Sequence, residues 1–166
     1  MKVIIPAAGA GTRLRPHTHT IPKTLVQVAG KPILGHILDR LSVLDVTELI
    51  LIIGYMGDKI KNYVNAHCNL KITYVEQKQR LGLGYAVNLA RDYADGQPVL
   101  ITLDDTILEV DLTTIVQDAF SSIGAKEVDE PKRFGIIELE NGFIKRLVEK
   151  PENPPSPPLE GQGWVI

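Results

Sequence analysis

The chain has 166 residues, 44% of them hydrophobic and 23% charged, with a net charge of −2. This is the make-up of one globular domain with room for its own core, and it excludes disorder and a collagen-like repeat. No apolar run approaches the ~18–20 residues of a membrane span, and the one cysteine, Cys68, excludes an internal disulfide and a cysteine-rich zinc site.

The first apolar stretch ends at Pro6. That is short of the ~7–15 residues of an export signal, so a cytoplasmic protein is expected. Charge is uneven. Lys2, Arg13, Arg15, Lys23, Lys31 and Arg40 against Asp39 give residues 1–40 a charge of +5, leaving −7 for the remainder. A cationic start in a mildly acidic chain suggests a local anion site. It does not suggest a nucleic-acid surface, which spreads basic charge over a whole face.

In chain order, Val3-Ile4-Ile5 reads as a strand buried on both faces and ending at Pro6. A loop rich in Gly and Pro follows to about Lys31. Pro32 suits the first turn of a helix, and Leu34, Ile37, Leu38, Leu41 and Leu44 recur at helical spacing. The alternation then repeats. Strands are predicted at 49–53, 72–75 and 99–103, and helices around Ile60–Val64, Ala86–Tyr93 and Leu112–Phe120. This pattern predicts an α/β fold, with a parallel sheet, right-handed crossovers and helices on both faces. In such sheets ligands bind beyond the carboxyl ends of the strands. After Ser121 the pattern changes. Residues 135–139 and 143–148 read as strands joined by an Asn141-Gly142 turn, an antiparallel edge. Five of the eleven prolines fall in Pro151–Pro158, and no periodic element is readable there before the apolar ending Trp164-Val165-Ile166.

The densest local signal is Gly9-Ala10-Gly11-Thr12-Arg13-Leu14-Arg15-Pro16, with Lys23 after Pro22. Two glycines one residue apart let backbone amides approach a ligand. Amides plus flexible cations are what a polyphosphate requires. The plain alternative is a turn with solvated arginines. The dinucleotide fingerprint needs a third glycine where Leu14 stands, which argues against a nicotinamide-dependent oxidoreductase, and the P-loop spacing is absent. His17 and His19 read as ordinary loop residues.

Three further stations carry candidate chemistry. Gln77 ends the third strand, and its amide has both donor and acceptor for a base edge. Gly82 opens the next helix. An exposed glutamine and a glycine-rich helix start are the plain alternative there. Asp104-Asp105 ends the fourth strand, where carboxylates face the ligand crevice and suit Mg²⁺; a loop-capping aspartate is the alternative. Gly135 precedes the hairpin and Glu149-Lys150-Pro151 follows it. Locally, that Glu-Lys pair is solvated charge.

The glycine loop, Pro22-Lys23, Gly30-Lys31-Pro32 and these stations in order strongly resemble the sugar-1-phosphate nucleotidyltransferases, nearest the glucose-1-phosphate thymidylyltransferase type. The resemblance covers about residues 1–156. It implies a three-layer Rossmann-like nucleotide-diphospho-sugar transferase fold, mostly parallel, with an antiparallel C-terminal hairpin. Residues 1–150 would form the catalytic domain, its nucleotide half complete and its sugar half partial, with 151–166 a Pro-rich irregular tail.

The resemblance implies attack by a sugar-1-phosphate oxygen on the α-phosphorus of a nucleoside triphosphate, with pyrophosphate leaving and no covalent intermediate. Arg13 and Lys23 would be catalytic. Ala8, Gly9, Gly11 and Thr12 would hold the triphosphate, Gln77 would read the base, and Gly82 would contact it. Gly135, Glu149 and Lys150 would hold the sugar phosphate, and Asp105 would hold Mg²⁺. The default substrates are glucose-1-phosphate with dTTP or UTP, and guanosine with mannose-1-phosphate remains open. Asp104 departs from the family, which has glycine there, and places a second negative charge beside the metal ligand. Past Ser156 the resemblance stops, and no aspartate follows Asp129 to match the family's second metal ligand. The chain therefore reads as a shortened or frame-altered product whose open edge favours self-association. The alternative function is a nucleotide-binding fragment without catalysis.

Overall fold

The computed structural model describes residues 1–117, 120–127, 135–149 and 164–165. Two compact units divide the chain, Met1–Gln117 and residues 118–166.

The first unit begins with β1 (Lys2–Ala7). A small antiparallel ribbon follows, of β2 (Gln27–Val28) and β3 (Lys31–Pro32), where a loop is expected from the sequence. Next come α1 (Ile33–Leu41), β4 (Glu48–Ile53), α2 (Gly57–His67), β5 (Ile72–Glu76), α3 (Leu83–Leu89), β6 (Val99–Ile101) and α4 (Leu112–Val116). Four strands form one parallel sheet in the order β5-β4-β1-β6.

The predicted strands are continuous apolar runs because both sheet faces are covered. Val3, Ile5, Ala7, Leu49, Leu51 and Ile53 point to one face, against Ile33, Leu34, Ile37 and Leu41 of α1 and Ile60 and Val64 of α2. Ile4, Ala8, Ile50 and Ile52 meet Ala86 and Ala90 on the other. These alanines, four apart, let α3 lie close to the sheet. Each fully buried aliphatic side chain contributes about 1.5–3 kcal/mol.

Strand β1 runs past Pro6, its expected end, to Ala7. The Ile4 carbonyl accepts from Thr102 N at 3.1 Å, so even-numbered backbone groups of β1 face β6. Pairing with β6 stops at Ile4↔Ile101, before Pro6 would have to donate. The ladder to β4 continues through Ala7↔Ile53. Strand β6 is shorter than expected, ending at Ile101, and the Tyr93 end of the third predicted helix is a separate 3₁₀ turn, Arg91–Tyr93.

At the amino end of the sheet, Lys2 and Glu48 are cross-strand partners and both are buried. Lys2 Nζ lies 3.3 Å from Glu48 Oε2 and 3.2 Å from Asp95 Oδ2, and Glu48 Oε1 lies 3.3 Å from Lys71 Nζ. The Thr73 hydroxyl donates to Glu48 at 2.6 Å. That hydrogen bond, with Lys71 and Lys2, holds the Glu48 carboxyl below its ordinary 4.5 against the upward push of burial. The unfolded chain therefore binds this proton more readily. The stabilisation is present above the unfolded value and lost as pH falls through the folded one. Between about pH 5 and pH 3 the melting temperature of the native chain should fall more steeply than that of Glu48→Gln. Parallel curves for the two would remove Glu48 from the acid response.

In the second unit, β7 (Lys126–Glu127), β8 (Gly135–Glu140), β9 (Phe143–Glu149) and β10 (Trp164–Val165) form an antiparallel sheet in the order β7-β10-β8-β9. The hairpin thus belongs to a sheet of its own. Asn141 and Gly142 both take positive φ, 52° and 81°, as a tight hairpin turn requires. Residues 151–163 of the predicted tail, and the predicted helix end at 118–119, lie outside the described residues.

Candidate active site at the carboxyl ends of β1 and β6

Strand order reverses between β1, whose chain leads to β4 and β5, and β6, which returns to the other side of β1. Open α/β sheets bind ligands at this crevice. The loop after β1 and the Asp104-Asp105 turn after β6 meet here.

The loop is shaped by residues outside the glycine motif. Gly11 adopts a left-handed conformation, φ 59° and ψ 39°, before the 3₁₀ turn Thr12–Leu14. Its carbonyl accepts from the Thr18 hydroxyl at 2.8 Å, and Thr18 is 1% exposed. The Tyr55 hydroxyl donates to Thr18 O at 3.2 Å, and Lys59 reaches Thr20 O. At Gly54 a Cβ would stand 3.0 Å from Ala8 Cβ, so glycine there lets the β4 end close on the loop's base. Ile53-Gly54-Tyr55 was the legible signal for this support, a glycine directly after an apolar strand.

Lys23 opens a 3₁₀ turn, Lys23–Leu25, and returns across the crevice. Its ammonium lies 2.9 Å from Asp104 Oδ1 and 3.0 Å from Asp105 Oδ2. The side chain of Asp104 is 7% exposed and that of Asp105 46%. Burial pulls the Lys23 ammonium down, but Asp104 and Asp105 outweigh it and its pKa lies above the ordinary lysine value. Burial raises the Asp104 carboxyl; Lys23 lowers it, but the net shift is upward.

Ala8 is buried at the end of β1, and Gly9, Thr12 and Arg13 are exposed on the loop. Gln77 follows β5, with its amide nitrogen donating to Gln79 O at 2.9 Å. Gly82, at φ 96°, precedes α3. In the second unit, Gly135 and Glu149 become direct cross-strand partners although 14 positions separate them in sequence. Lys150 lies outside the described residues. Among the described residues, no group of three or more His, Cys, Asp or Glu is placed to hold a metal, and no helix is long and apolar enough to cross a membrane.

Residues 2–163 match the sequence model of the Nucleotidyl transferase family, and the chain belongs to that family. It is similar to the UTP–glucose-1-phosphate uridylyltransferase AglF of Haloferax volcanii, 35% identical over 94% of this chain and 68% of the relative. It is equally similar, 35% over 94% of the chain, to the glucose-1-phosphate thymidylyltransferase of Streptomyces antibioticus, of which it covers 46%. A solved UDP-glucose pyrophosphorylase in complex with UDP-glucose superposes with a TM-score of 0.78 at 25% identity, over 90% of this chain and 68% of that one. The chain spans about half the length of the curated relatives it matches.

Proposed function

We propose that the chain performs sugar-1-phosphate nucleotidyl transfer. Glucose-1-phosphate and dTTP or UTP are the default substrates, and an NDP-sugar and pyrophosphate the products. One observation carries the reading. The Gly11 loop, Lys23 and the Asp104-Asp105 turn converge at the carboxyl ends of β1 and β6, where phosphate donors and carboxylates must meet.

Amides of the Gly9–Thr12 segment and the exposed Arg13 bind and orient the triphosphate. Lys23 stabilises charge that develops between the two phosphates during displacement. The sugar-phosphate oxygen is already a nucleophile, so no side chain has to be activated. Gly135 and Glu149, now neighbours across the hairpin, hold the sugar, and Lys150 holds its phosphate. Gln77 and Gly82 contact the base.

The residues present fit Mg²⁺. Asp105 is 46% exposed, so its carboxylate can take a ligand from solvent, and hard oxygen donors are what Mg²⁺ takes. The exposed Asp105 would hold the ion, which when bound neutralises phosphate oxygens. AglF, named for UTP, and the thymidylyltransferase, named for a thymidylyl group, support a pyrimidine nucleotide.

The test is pyrophosphate release with Mg²⁺, glucose-1-phosphate and each of UTP, dTTP, GTP, ATP and CTP, with a control lacking sugar. Release that needs the sugar and is confined to UTP or dTTP is expected. Binding of a triphosphate with no release would favour the fragment reading instead. In the active chain, Arg13→Ala removes one charge-assisted contact, about 1.5–3 kcal/mol, a loss of roughly ten- to hundredfold in kcat/KM. Unchanged turnover and triphosphate affinity would take Arg13 out of the site.

A further inference from the structure

The side chain of Asp104 is 7% exposed and lies beside the Lys23 ammonium. A buried carboxylate is costly unless a cation and hydrogen bonds satisfy it. Asp104 Oδ1 has that cation at 2.9 Å.

Lys23 is held at both ends. A Cβ built on Gly11 would stand 2.9 Å from Lys23 Cβ and 3.4 Å from its Cγ, so the lysine stem lies directly on the left-handed turn of the glycine loop. The backbone is closed by Leu25 N donating to Pro22 O at 2.9 Å and Val26 N to Lys23 O at 3.1 Å. The tip is held by the two carboxylates. A free lysine tip samples many rotamers, whereas this one is fixed before any ligand arrives.

The two aspartates differ in what they can do. Asp105, 46% exposed, faces outward and can exchange Lys23 for a ligand. Asp104 is turned inward. Its charge is spent on Lys23 and does not add free negative charge beside the nucleotide.

We propose that Asp104 is the positioning residue for Lys23. Asp105 shares the ammonium at 3.0 Å but is open to ligand exchange, so the buried Asp104 is the partner that keeps the ammonium at the mouth of the glycine loop and sets the point where the triphosphate meets its lysine. The proposal rests on the nucleotidyl-transfer reading for its consequence and on the geometry alone for the ion pair. Two measurements therefore separate them.

The first is lysine acetylation of the folded chain without metal or nucleotide, followed residue by residue by mass spectrometry, with folding checked by circular dichroism. In the native chain Lys23 should be labelled severalfold more slowly than Lys71, whose side chain is 72% exposed. Asp104→Asn should speed labelling of Lys23 severalfold, towards the Lys71 rate, and Asp105→Asn should leave it slow. Protection that survives Asp104→Asn, or is lost in Asp105→Asn, overturns the proposal.

The second measurement is steady-state pyrophosphate release. Asp104→Asn should lower kcat by about 100-fold, the cost of a roughly 1 Å misplacement, with the KM for the sugar phosphate unchanged. Asp104→Glu keeps the charge on a longer arm. It should keep Lys23 protected and recover part of kcat. If Asp104→Asn does not fold, Asp104→Glu decides: a protected Lys23 with reduced kcat supports the proposal, and any other pairing overturns it. If the labelling pattern holds but no triphosphate is turned over, the transfer reading fails while the ion pair stands.

Discussion

Lys23→Met should abolish most turnover and destabilise the fold at the same time. The ammonium lies on both carboxylates of the β6 turn, at 2.9 and 3.0 Å. Removing a preorganised charge that meets charge developing in the transition state costs about 10²–10³ in kcat. The stability cost has a different origin. Methionine fills much of the lysine's volume, so little packing is lost, but Asp104 is left buried without a partner. Breaking a buried pair from one side costs about 3–5 kcal/mol. The double variant Lys23→Met/Asp104→Asn separates the two effects. It removes the orphaned charge, so most of the stability should return while turnover stays low. A Lys23→Met chain as stable as the native one would mean that Asp104 finds other partners. Turnover restored in the double variant would mean that Lys23 acts only on the fold.

The parts that were legible in sequence share a physical cause. Leu49 to Ile53 read as a buried strand because both faces of β4 are covered, so every residue is apolar. The turn after β1 was legible because glycines one residue apart mark backbone that leaves the ordinary regions, and Gly11 does so at φ 59°. What escaped depends on distant partners. Glu48 and Lys2 fall just outside the apolar runs at 3–5 and 49–53, yet they lie inside the first sheet because strand register pairs them with each other. The path of residues 11–20 is held by Thr18, Tyr55 and Lys59, and no local periodicity marks it or the β2–β3 ribbon. Asp104 read as a charge too many for the same reason. Its partner lies 81 positions earlier, and only the β1–β6 pairing brings the two together. Gly135 and Glu149 stand 14 positions apart in sequence, and the hairpin turn at Asn141-Gly142 makes them cross-strand partners.

The glycine loop offers a matched pair of substitutions whose results should diverge. Gly9 and Gly11 both belong to the motif, but the chain asks different things of them. At Gly11, φ is 59°, and a Cβ would stand 2.9 Å from Lys23 Cβ and 3.0 Å from Thr18 Cγ2. Gly11→Ala therefore meets two penalties. The left-handed conformation costs an L-residue about 1–2 kcal/mol. The contact is tighter than packed atoms tolerate, and its neighbours are the stem of Lys23 and a buried threonine that cannot swing away. Relief requires the loop or the lysine to shift, and a displacement of roughly 1 Å costs about 100-fold in turnover. At Gly9 nothing lies within 4 Å of the same added carbon and φ is not positive. Gly9→Ala should leave stability within about 0.5 kcal/mol of the native chain. Thermal denaturation and Lys23 acetylation, neither of which needs substrate, should thus separate the two variants: Gly11→Ala melts lower and labels faster at Lys23, and Gly9→Ala does neither. Equal behaviour would mean that Gly11 does not support Lys23, and that the lysine is placed by its carboxylates alone.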